Sequence, residues 1–303
     1  AAGFASVRRF NAVVKQTYNC SPSQLRKRIR VKRPPAKTPA LLGAPISLQL
    51  SYRPPLDWQA LLAFLDYRTI PGVECVGDDF YARSFQLSAG QTQRQAKGHF
   101  VARFDTKAPW VELRVWIDNT AELHRVVARV KAILDLRADS SAIERDLTAS
   151  PRLSSLCERF PGTRVPGCWS GFEVAVRAIL GQQVSVRAAS TLVARVAARF
   201  GSHYDSGMEG IDFIFPEPAE IAAQSLDGLG IVQTRIAAIQ EIAQRLMDGR
   251  LDFSHVGVLD EFVAKLCEVK GIGEWTANYV ALRALGDPDA FPHSDLILLR
   301  AAA

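Results

Sequence analysis

The sequence contains no long apolar run and no paired cysteine motif. Nothing in its 303 residues approaches the roughly 20 apolar residues of a membrane span, and residues 1–9 lack the apolar stretch of a signal peptide. Five cysteines, at 20, 75, 157, 168 and 267, form no Cys-x-x-Cys pair, which argues against a zinc finger, an iron–sulfur cluster or a disulfide framework. We therefore expect a cytoplasmic protein of two or three domains that has no membrane partner and binds neither metal nor cofactor.

Acidic residues are absent from residues 1–56, which contain eleven Lys and Arg. This stretch carries +11, and subtracting it from the net charge of +6 leaves −5 for residues 57–303. The basic segment suits phosphate contacts, and a solvated basic tail is the alternative. The remainder must bind any polyanion through local geometry rather than bulk charge.

The start of the chain has a helical pattern. Apolar side chains recur with the spacing of one helix face in residues 1–28, at Phe4, Phe10, Val14 and Tyr18. Ser21 and Pro22 are typical of the start of another helix. Residues 30–45, which are rich in proline and basic side chains, are predicted to be a linker.

The pattern changes to strands from Ile46. Four segments alternate with period two, at 46–51, 80–87, 99–104 and 111–117, and residues 57–67 form an amphipathic helix. They predict a small antiparallel sheet backed by helices over residues 46–120. Helical patterns then continue over residues 121–303, so the predicted fold class is α+β.

Residues 266–279, LCEVKGIGEWTANY, are predicted to form a helix, a tight hairpin and a second helix. Gly271 and Gly273 can adopt the positive φ of a short hairpin, and they let phosphate approach the main chain. Candidate DNA-backbone contacts in this element are Lys270, Gly271, Ile272, Gly273 and Thr276. The alternative is that Gly-Ile-Gly only joins two packed helices. Asp295 follows about twenty residues later.

This hairpin and its distant aspartate resemble the helix-hairpin-helix DNA glycosylase superfamily, whose catalytic aspartate follows the hairpin at about this separation. Other segments are similar to bacterial 3-methyladenine DNA glycosylase II: YRPPLDW at 52–58, DFYARS at 79–84, PGCWSGFE at 166–173 and VRAA at 186–189. The resemblance covers about residues 46–300. It implies a TATA-binding-protein-like sheet in residues 46–120, and a helix-hairpin-helix glycosylase domain in residues 121–303 that is C-terminally truncated, because that family continues with further helices.

The resemblance implies that Asp295 is catalytic. Its carboxylate can stabilise an oxocarbenium-like sugar and orient or deprotonate the attacking water. The alternative is a helix N-cap at Ser294 or Asp295, and both hold if Ser294 caps while Asp295 faces the cleft. Trp275 stands where lyase-competent members have a lysine nucleophile, so the chain resembles the monofunctional branch, which leaves an abasic site.

Trp275 and Tyr279, one helical turn apart, are expected to stack on the extruded base together with Phe64. Without the resemblance, two aromatic residues four positions apart are more typical of a hydrophobic core than of a ligand pocket. The turn at 181–185, GQQVS, reads in isolation as a polar connection between helices. In the resembled glycosylases this loop inserts a side chain into the DNA stack, so Gln182 and Gln183 are predicted DNA contacts, with Gln183 at the position of that inserted side chain.

An aromatic pocket without an obvious general acid favours alkylated purines such as 3-methyladenine and 7-methylguanine. These bases are cationic, so they stack well on electron-rich rings and are already good leaving groups. The expected partner is duplex DNA containing alkylated bases, bound by a monomer in the bacterial nucleoid. A glycosylase for oxidised or deaminated bases is an alternative that the missing lysine disfavours.

Residues 3–11, GFASVRRFN, and 20–26, CSPSQLR, resemble the end of an AraC-type helix-turn-helix domain, as found in Ada-type fusions of regulator and glycosylase. The resemblance implies that residues 1–29 are part of such a domain, with a recognition helix beginning near Ser6 and with Arg8 and Arg9 contacting DNA. A transcriptional regulator with a non-catalytic glycosylase-like module is the rival class. The retained Asp295 argues against it.

Overall fold

The computed structural model describes residues 6–18, 21–23, 43–88, 95–104, 109–253 and 258–302. The chain divides into two compact units. Unit 1 comprises Ala1–Asp66, Glu74–Arg164 and Asp205–Glu209, and unit 2 comprises Tyr67–Val73, Val165–Tyr204 and Gly210–Ala303. The change from strand patterns to helical patterns near residue 120 lies within unit 1, and the domain boundary predicted there stays a prediction.

Unit 1 is built from a sheet and short helices. Its elements are α1 (Val7–Tyr18), β1 (Ile46–Ser51), α2 (Trp58–Asp66), β2 (Glu74–Val76), β3 (Phe80–Leu87), β4 (Ala96–Phe104), β5 (Trp110–Ile117), α3 (Leu123–Ile133), α4 (Ser140–Leu147) and α5 (Pro151–Arg159). The five strands are antiparallel in the order β1-β5-β4-β3-β2, which confirms the predicted antiparallel sheet. Strand β2 has only three residues, too few for an alternating pattern to predict.

The sheet buries polar as well as apolar side chains. Arg83 pairs with Glu74 at 3.1 Å, and the Tyr81 hydroxyl donates to the same carboxylate at 2.7 Å. On a neighbouring strand pair, the His99 imidazole stacks on the Trp116 indole with ring centroids 4.4 Å apart and planes 13° apart. Burial lowers the pKa of His99 to about 4, so this imidazole is neutral at physiological pH.

Arg164 joins the segments that surround the sheet. Its guanidinium donates to the carbonyls of Asp135 and Ala138 at 3.0 and 2.8 Å, and to those of Arg53 and Pro55 at 2.6 and 2.8 Å. A single buried side chain therefore satisfies four carbonyls from two segments far apart in sequence. These bonds explain why the helices up to Arg164 group with the sheet.

Helix α1 begins at Val7, next to Ser6, where the resemblance implies the start of a helix. The Ser6 hydroxyl accepts the Arg9 amide at 3.2 Å, a capping bond, and Val14 is buried. Arg8 and Arg9 are exposed. Most of the predicted linker, residues 30–42, lies outside the described residues. None of the helices within the described ranges combines the length and apolar character needed to cross a bilayer.

Unit 2 is mainly helical, as predicted. Its elements are α6 (Gly171–Leu180), α7 (Val186–Phe200), β6 (Ser202–His203), β7 (Phe213–Ile214), α8 (Pro218–Ala222), α9 (Gln233–Met247), α10 (Leu259–Cys267), α11 (Glu274–Val280), a π-helical turn (Ala281–Leu285) and α12 (Leu296–Ala302). The hydroxyls of Ser170 and Ser185 accept from the Glu173 and Ala188 amides and so cap α6 and α7. Together the helices enclose one apolar core.

Candidate active site

Two aromatic rings project from α11, directly after the hairpin. Trp275 and Tyr279 are separated by four positions, so both lie on one side of the helix. Their ring centroids are 5.5 Å apart and their planes differ by 12°. Both side chains are only partly buried, so the pair keeps a surface on which a planar ligand can lie.

The Asp295 carboxylate is held against this pair. The Trp275 Nε1–H donates to Asp295 Oδ2 at 2.9 Å. Asp295 Oδ1 accepts the main-chain amides of Ile297 and Leu298 at 2.9 and 3.1 Å. Three N–H donors thus fix the carboxylate, and its negative charge lies at the positive end of α12.

The helix cap is therefore Asp295 itself. Of the two caps that the sequence left open, Ser294 and Asp295, the structure shows Asp295. A capping side chain accepts amides two and three positions into the helix, and α12 begins at Leu296, so the residue in register is Asp295. One oxygen serves the helix and the other is bound to Trp275.

The hairpin lies between α10 and α11. Gly271 has φ of +93°, as predicted, and the Ile272 amide donates to the Val269 carbonyl at 3.0 Å. Gly273, however, is extended, with φ of −96° and ψ of 173°, because it already begins α11 as its N-cap. The prediction of positive φ is therefore correct for Gly271 and wrong for Gly273. A Cβ added at either glycine would meet nothing within 4 Å, so the main chain is open to a ligand.

The other hairpin candidates differ in exposure. Lys270 is exposed, whereas Ile272 is 6% and Thr276 is 3% exposed. The side chain of Ile272 packs in the core of unit 2, so any contact from this residue must come from its main chain. Lys270 and the amides around the two glycines form the accessible part of the hairpin.

The turn at 181–185 is braced against the hairpin. Gln182 Nε2 donates to the Gly271 carbonyl at 2.9 Å and to Thr276 Oγ1 at 3.2 Å. Arg235 of α9 donates to the Gln182 carbonyl. Gln183 is exposed and left-handed, with φ of +55°. The side chain of Gln182 is thus engaged by the protein, and that of Gln183 is presented outward.

Arg283 extends the aromatic stack. It lies in the π-helical turn after α11, and its Cζ is 5.6 Å from the centroid of the Tyr279 ring. Its Nη1 donates to the Pro166 carbonyl at 2.5 Å. Neither Arg235 nor Arg283 was among the residues expected from sequence, although Trp275, Tyr279 and Arg283 follow a regular spacing of four.

The remaining predicted site residues belong to unit 1. Phe64 is half-buried on α2, and Arg8 and Arg9 are exposed on α1. Their assignment to a base pocket and to DNA stays a prediction. Among the described residues, no cluster of three or more His, Cys, Asp or Glu side chains is arranged to hold a metal ion.

Comparison with known proteins assigns the chain to a family. A family model described as the AlkA N-terminal domain matches residues 47–170. The DNA-3-methyladenine glycosylase 2 of Escherichia coli is 34% identical over 252 residues, which are 82% of this chain and 84% of that protein. A solved 3-methyladenine DNA glycosylase from Archaeoglobus fulgidus superposes with a TM-score of 0.69 at 25% identity, over 84% of each chain.

A longer relative matches from end to end of this chain. The "probable bifunctional transcriptional activator/DNA repair enzyme AlkA" of Mycobacterium tuberculosis is 32% identical over 302 residues, which are all of this chain and 59% of that protein. The chain therefore spans about three fifths of that relative's length. From its identity to the Escherichia coli protein over most of both sequences, we conclude that the chain belongs to the DNA-3-methyladenine glycosylase 2 family.

Proposed function

We propose that this chain is a monofunctional DNA glycosylase of base excision repair, which extrudes an alkylated purine from duplex DNA and hydrolyses its N-glycosidic bond. The observation that carries the proposal is the position of Trp275. Its indole stacks on Tyr279 and binds the Asp295 carboxylate. Trp275 thus brings together an aromatic surface on which a base can stack and the carboxylate that can stabilise a positively charged sugar. Membership of the glycosylase family supports these two roles.

Asp295 is the proposed catalytic residue. Breaking the bond between base and sugar leaves positive charge on the sugar, which a fixed carboxylate stabilises. The three N–H donors around Asp295 hold the carboxylate in place before the reaction, so little reorganisation is needed as charge develops. The same carboxylate can orient or deprotonate the attacking water.

Hydrolysis without strand cleavage follows from Trp275. A lyase uses an amine to attack C1′ and form an imine, and an indole nitrogen has no lone pair available for this. The indole N–H is also committed to Asp295. Water is therefore the proposed nucleophile, and an intact abasic site is the product.

Alkylated purines are the proposed substrates. A positively charged base gains from stacking on the electron-rich faces of Trp275 and Tyr279. Loss of such a base needs little acid assistance, because the charge it carries already weakens the bond. The relatives from Escherichia coli and Archaeoglobus fulgidus are named for 3-methyladenine, the substrate class proposed here together with 7-methylguanine.

Duplex DNA is the proposed partner of a monomeric protein. The open main chain at Gly271 and Gly273 and the exposed Lys270 suit a phosphate. Gln183, exposed on a left-handed turn beside this hairpin, is the proposed residue that enters the DNA stack.

Residues 1–29 are proposed to be part of an AraC-type helix-turn-helix, joined by a linker at 30–45 to glycosylase domains at 46–120 and 121–303. The match to the bifunctional Mycobacterium tuberculosis relative covers this N-terminal segment, which supports the proposal. The exposed Arg8 and Arg9 of α1 would contact DNA, in a protein of the bacterial cytoplasm and nucleoid.

The decisive experiment measures free base released from methylated duplex DNA by this chain. We expect 3-methyladenine and 7-methylguanine in the supernatant, and strand breaks only after alkali. Asp295→Asn should release both bases about 10²–10³-fold more slowly while binding the duplex like the wild type. Specific DNA binding by both proteins without base release would favour a non-catalytic regulator instead.

A further inference from the structure

We infer that Arg235 is a positioning residue, which holds the turn at 181–185 in the conformation that presents the Gln183 side chain outward. It does so by donating to the main-chain carbonyl of Gln182. The inference rests on the proposed function, because it concerns how the proposed insertion of Gln183 into the DNA stack is prepared. It gives Arg235 a part in extruding the base and no part in breaking the N-glycosidic bond.

The turn has three residues between two anchored ends. Gly181 caps the end of α6, where its amide donates to the Arg177 carbonyl at 2.9 Å, and the Ser185 hydroxyl caps α7 by accepting the Ala188 amide at 3.2 Å. Gln183 is the central residue of the three, and its φ of +55° is left-handed. This conformation is unfavourable for most side chains other than glycine, asparagine and aspartate, so the surrounding structure must hold it.

The bond from Arg235 acts directly on that conformation. The Gln182 carbonyl and the Gln183 nitrogen belong to one planar peptide unit, so a bond that fixes the carbonyl also fixes the plane that φ of Gln183 refers to. The capped start of α7 fixes the chain on the other side. Gln183 therefore cannot relax to a negative φ without breaking the bond to Arg235, which is strengthened by the charge of the guanidinium.

Arg235 projects from a well-packed helix. It lies in the first turn of α9, and the next residue, Ile236, is 5% exposed in the apolar core of unit 2. Arg235 itself is half-buried. The Gln182 side chain adds a second attachment, to Gly271 and Thr276. The side chain of Gln182 thus connects the turn to the hairpin, whereas its carbonyl connects the turn to α9.

These separate attachments give Arg235 a specific effect. A turn that is already ordered can insert Gln183 into DNA without a further loss of conformational entropy. Loss of the Arg235 bond should therefore make extrusion of the base less favourable, while the proposed backbone contacts of the hairpin and the hydrolysis step are unchanged. A base that is already unpaired should be affected less, because it leaves the stack more easily.

The test compares wild type with Arg235→Met, which keeps a long apolar side chain and loses the donors. The measurements are the dissociation constant of an undamaged duplex, the fluorescence of 2-aminopurine placed beside 7-methylguanine, which rises when the stack opens, and the single-turnover rate of base release. In Arg235→Met we expect a smaller rise in fluorescence and a rate about ten-fold lower, as for the loss of one hydrogen bond from a charged donor. The affinity for undamaged duplex should stay within about two-fold of wild type.

A duplex in which 7-methylguanine lies opposite an abasic analogue separates extrusion from hydrolysis. This base has no pairing partner, so Arg235→Met should release it at a rate within about three-fold of wild type. A rate that stays ten-fold lower on the unpaired base would mean that the substitution disturbs the hydrolytic site, and it would overturn the inference. Unchanged fluorescence and rate on the paired base would overturn it as well.

Arg195→Met is the matched control, since Arg195 also donates to a main-chain carbonyl, that of Leu229 at 3.0 Å, in the same unit. It should leave the fluorescence and both rates unchanged. Arg235→Lys, which keeps a charged donor, should recover part of the lost rate. If Arg235→Met melts early, Arg235→Gln replaces it, with a partial loss expected on the paired base only. A wild type that opens the stack but releases no base counts against the proposed hydrolysis, whereas one that opens the stack no more than Arg235→Met does counts against the role of Arg235.

Discussion

The indole N–H of Trp275 donates to Asp295 Oδ2 at 2.9 Å, across 20 positions of sequence. Trp275, which stands where the resemblance places a lyase's lysine, therefore holds the carboxylate that the proposed hydrolysis needs. Trp275 therefore accounts both for the absence of an amine nucleophile at this position and for the orientation of the carboxylate in the proposed hydrolysis.

Replacing Trp275 should separate its two contacts. Trp275→Phe keeps a ring for stacking but removes the donor, so we expect about a ten-fold lower single-turnover rate with little change in lesion binding. Trp275→Ala should lose an additional ~1–3 kcal/mol through lost base stacking. Both variants are measured on one 7-methylguanine duplex. Equal losses in the two variants would mean that the ring contributes nothing beyond its N–H.

Asp295→Asn should lower the rate of base release about 10²–10³-fold, because it removes the charge that opposes the sugar cation. Asparagine caps helices as well as aspartate does, but its NH2 group cannot accept from the Trp275 N–H, so the melting temperature should fall only by the loss of that one bond. Asp295→Ala serves as the comparison, because it should lose the rate and also about 1 kcal/mol of stability with the cap. An Asp295→Asn protein that is folded and fully active would refute the catalytic assignment.

No covalent intermediate should form with wild type. Borohydride added during turnover is expected to trap no protein–DNA complex, since Trp275 offers no amine. Strand breaks should appear only after alkali or an abasic-site nuclease. Trp275→Lys restores the amine at that position and is the variant in which trapping is sought. A complex trapped with wild type would place the chain in the lyase branch.

The two hairpin glycines should respond differently to valine. Gly271 has φ of +93°, which a β-branched residue tolerates poorly, so Gly271→Val should destabilise the hairpin by about 1–3 kcal/mol and weaken binding to damaged and undamaged duplex alike. Gly273 is extended, so Gly273→Val should fold normally and weaken DNA binding only by obstructing the main chain. Binding assays and thermal melts distinguish the two. A loss confined to one lesion type would contradict the proposal that the hairpin binds a backbone phosphate.

Acid should destabilise unit 1 through His99. Its folded pKa of about 4 lies below the ordinary 6.5, so between these values the unfolded chain binds a proton that the folded chain excludes. The contribution of neutral His99 to stability is complete above pH 6.5 and is lost as the pH falls toward 4, by about 3 kcal/mol at most. Urea unfolding at pH 7 and pH 4.5 measures this loss. In His99→Gln the His99 share of the pH dependence should vanish, and an unchanged slope would show that His99 does not cause it.

Patterns in neighbouring residues were enough to predict the long strands and the hairpin. Alternation located the long strands, and Gly-Ile-Gly located the hairpin. The one-residue difference between Ser294 and Asp295 as the cap was not predictable, because both residue types cap helices well and only the observed start of α12 decides between them.

Long-range contacts were beyond sequence reasoning for a different reason. Gln182 reaches Gly271 across 89 positions, and Arg283 reaches Pro166 across 117. No periodicity relates residues so far apart, since their proximity is produced by packing of the whole unit. The spacing of Trp275, Tyr279 and Arg283 was the one local signal that could have pointed to the arginine.

The bonds from Gln182 to Gly271 and Thr276 also limit how this protein can be engineered. We expect a library that varies only the turn at 181–185 to disturb the hairpin as well, so that any gain in the proposed lesion recognition would come with a change in general DNA affinity. Selection from such a library would then favour variants that bind all DNA more tightly over variants that distinguish damaged from undamaged DNA. Randomising both loops together, with Gln182 kept constant, is the design that allows the two properties to evolve separately.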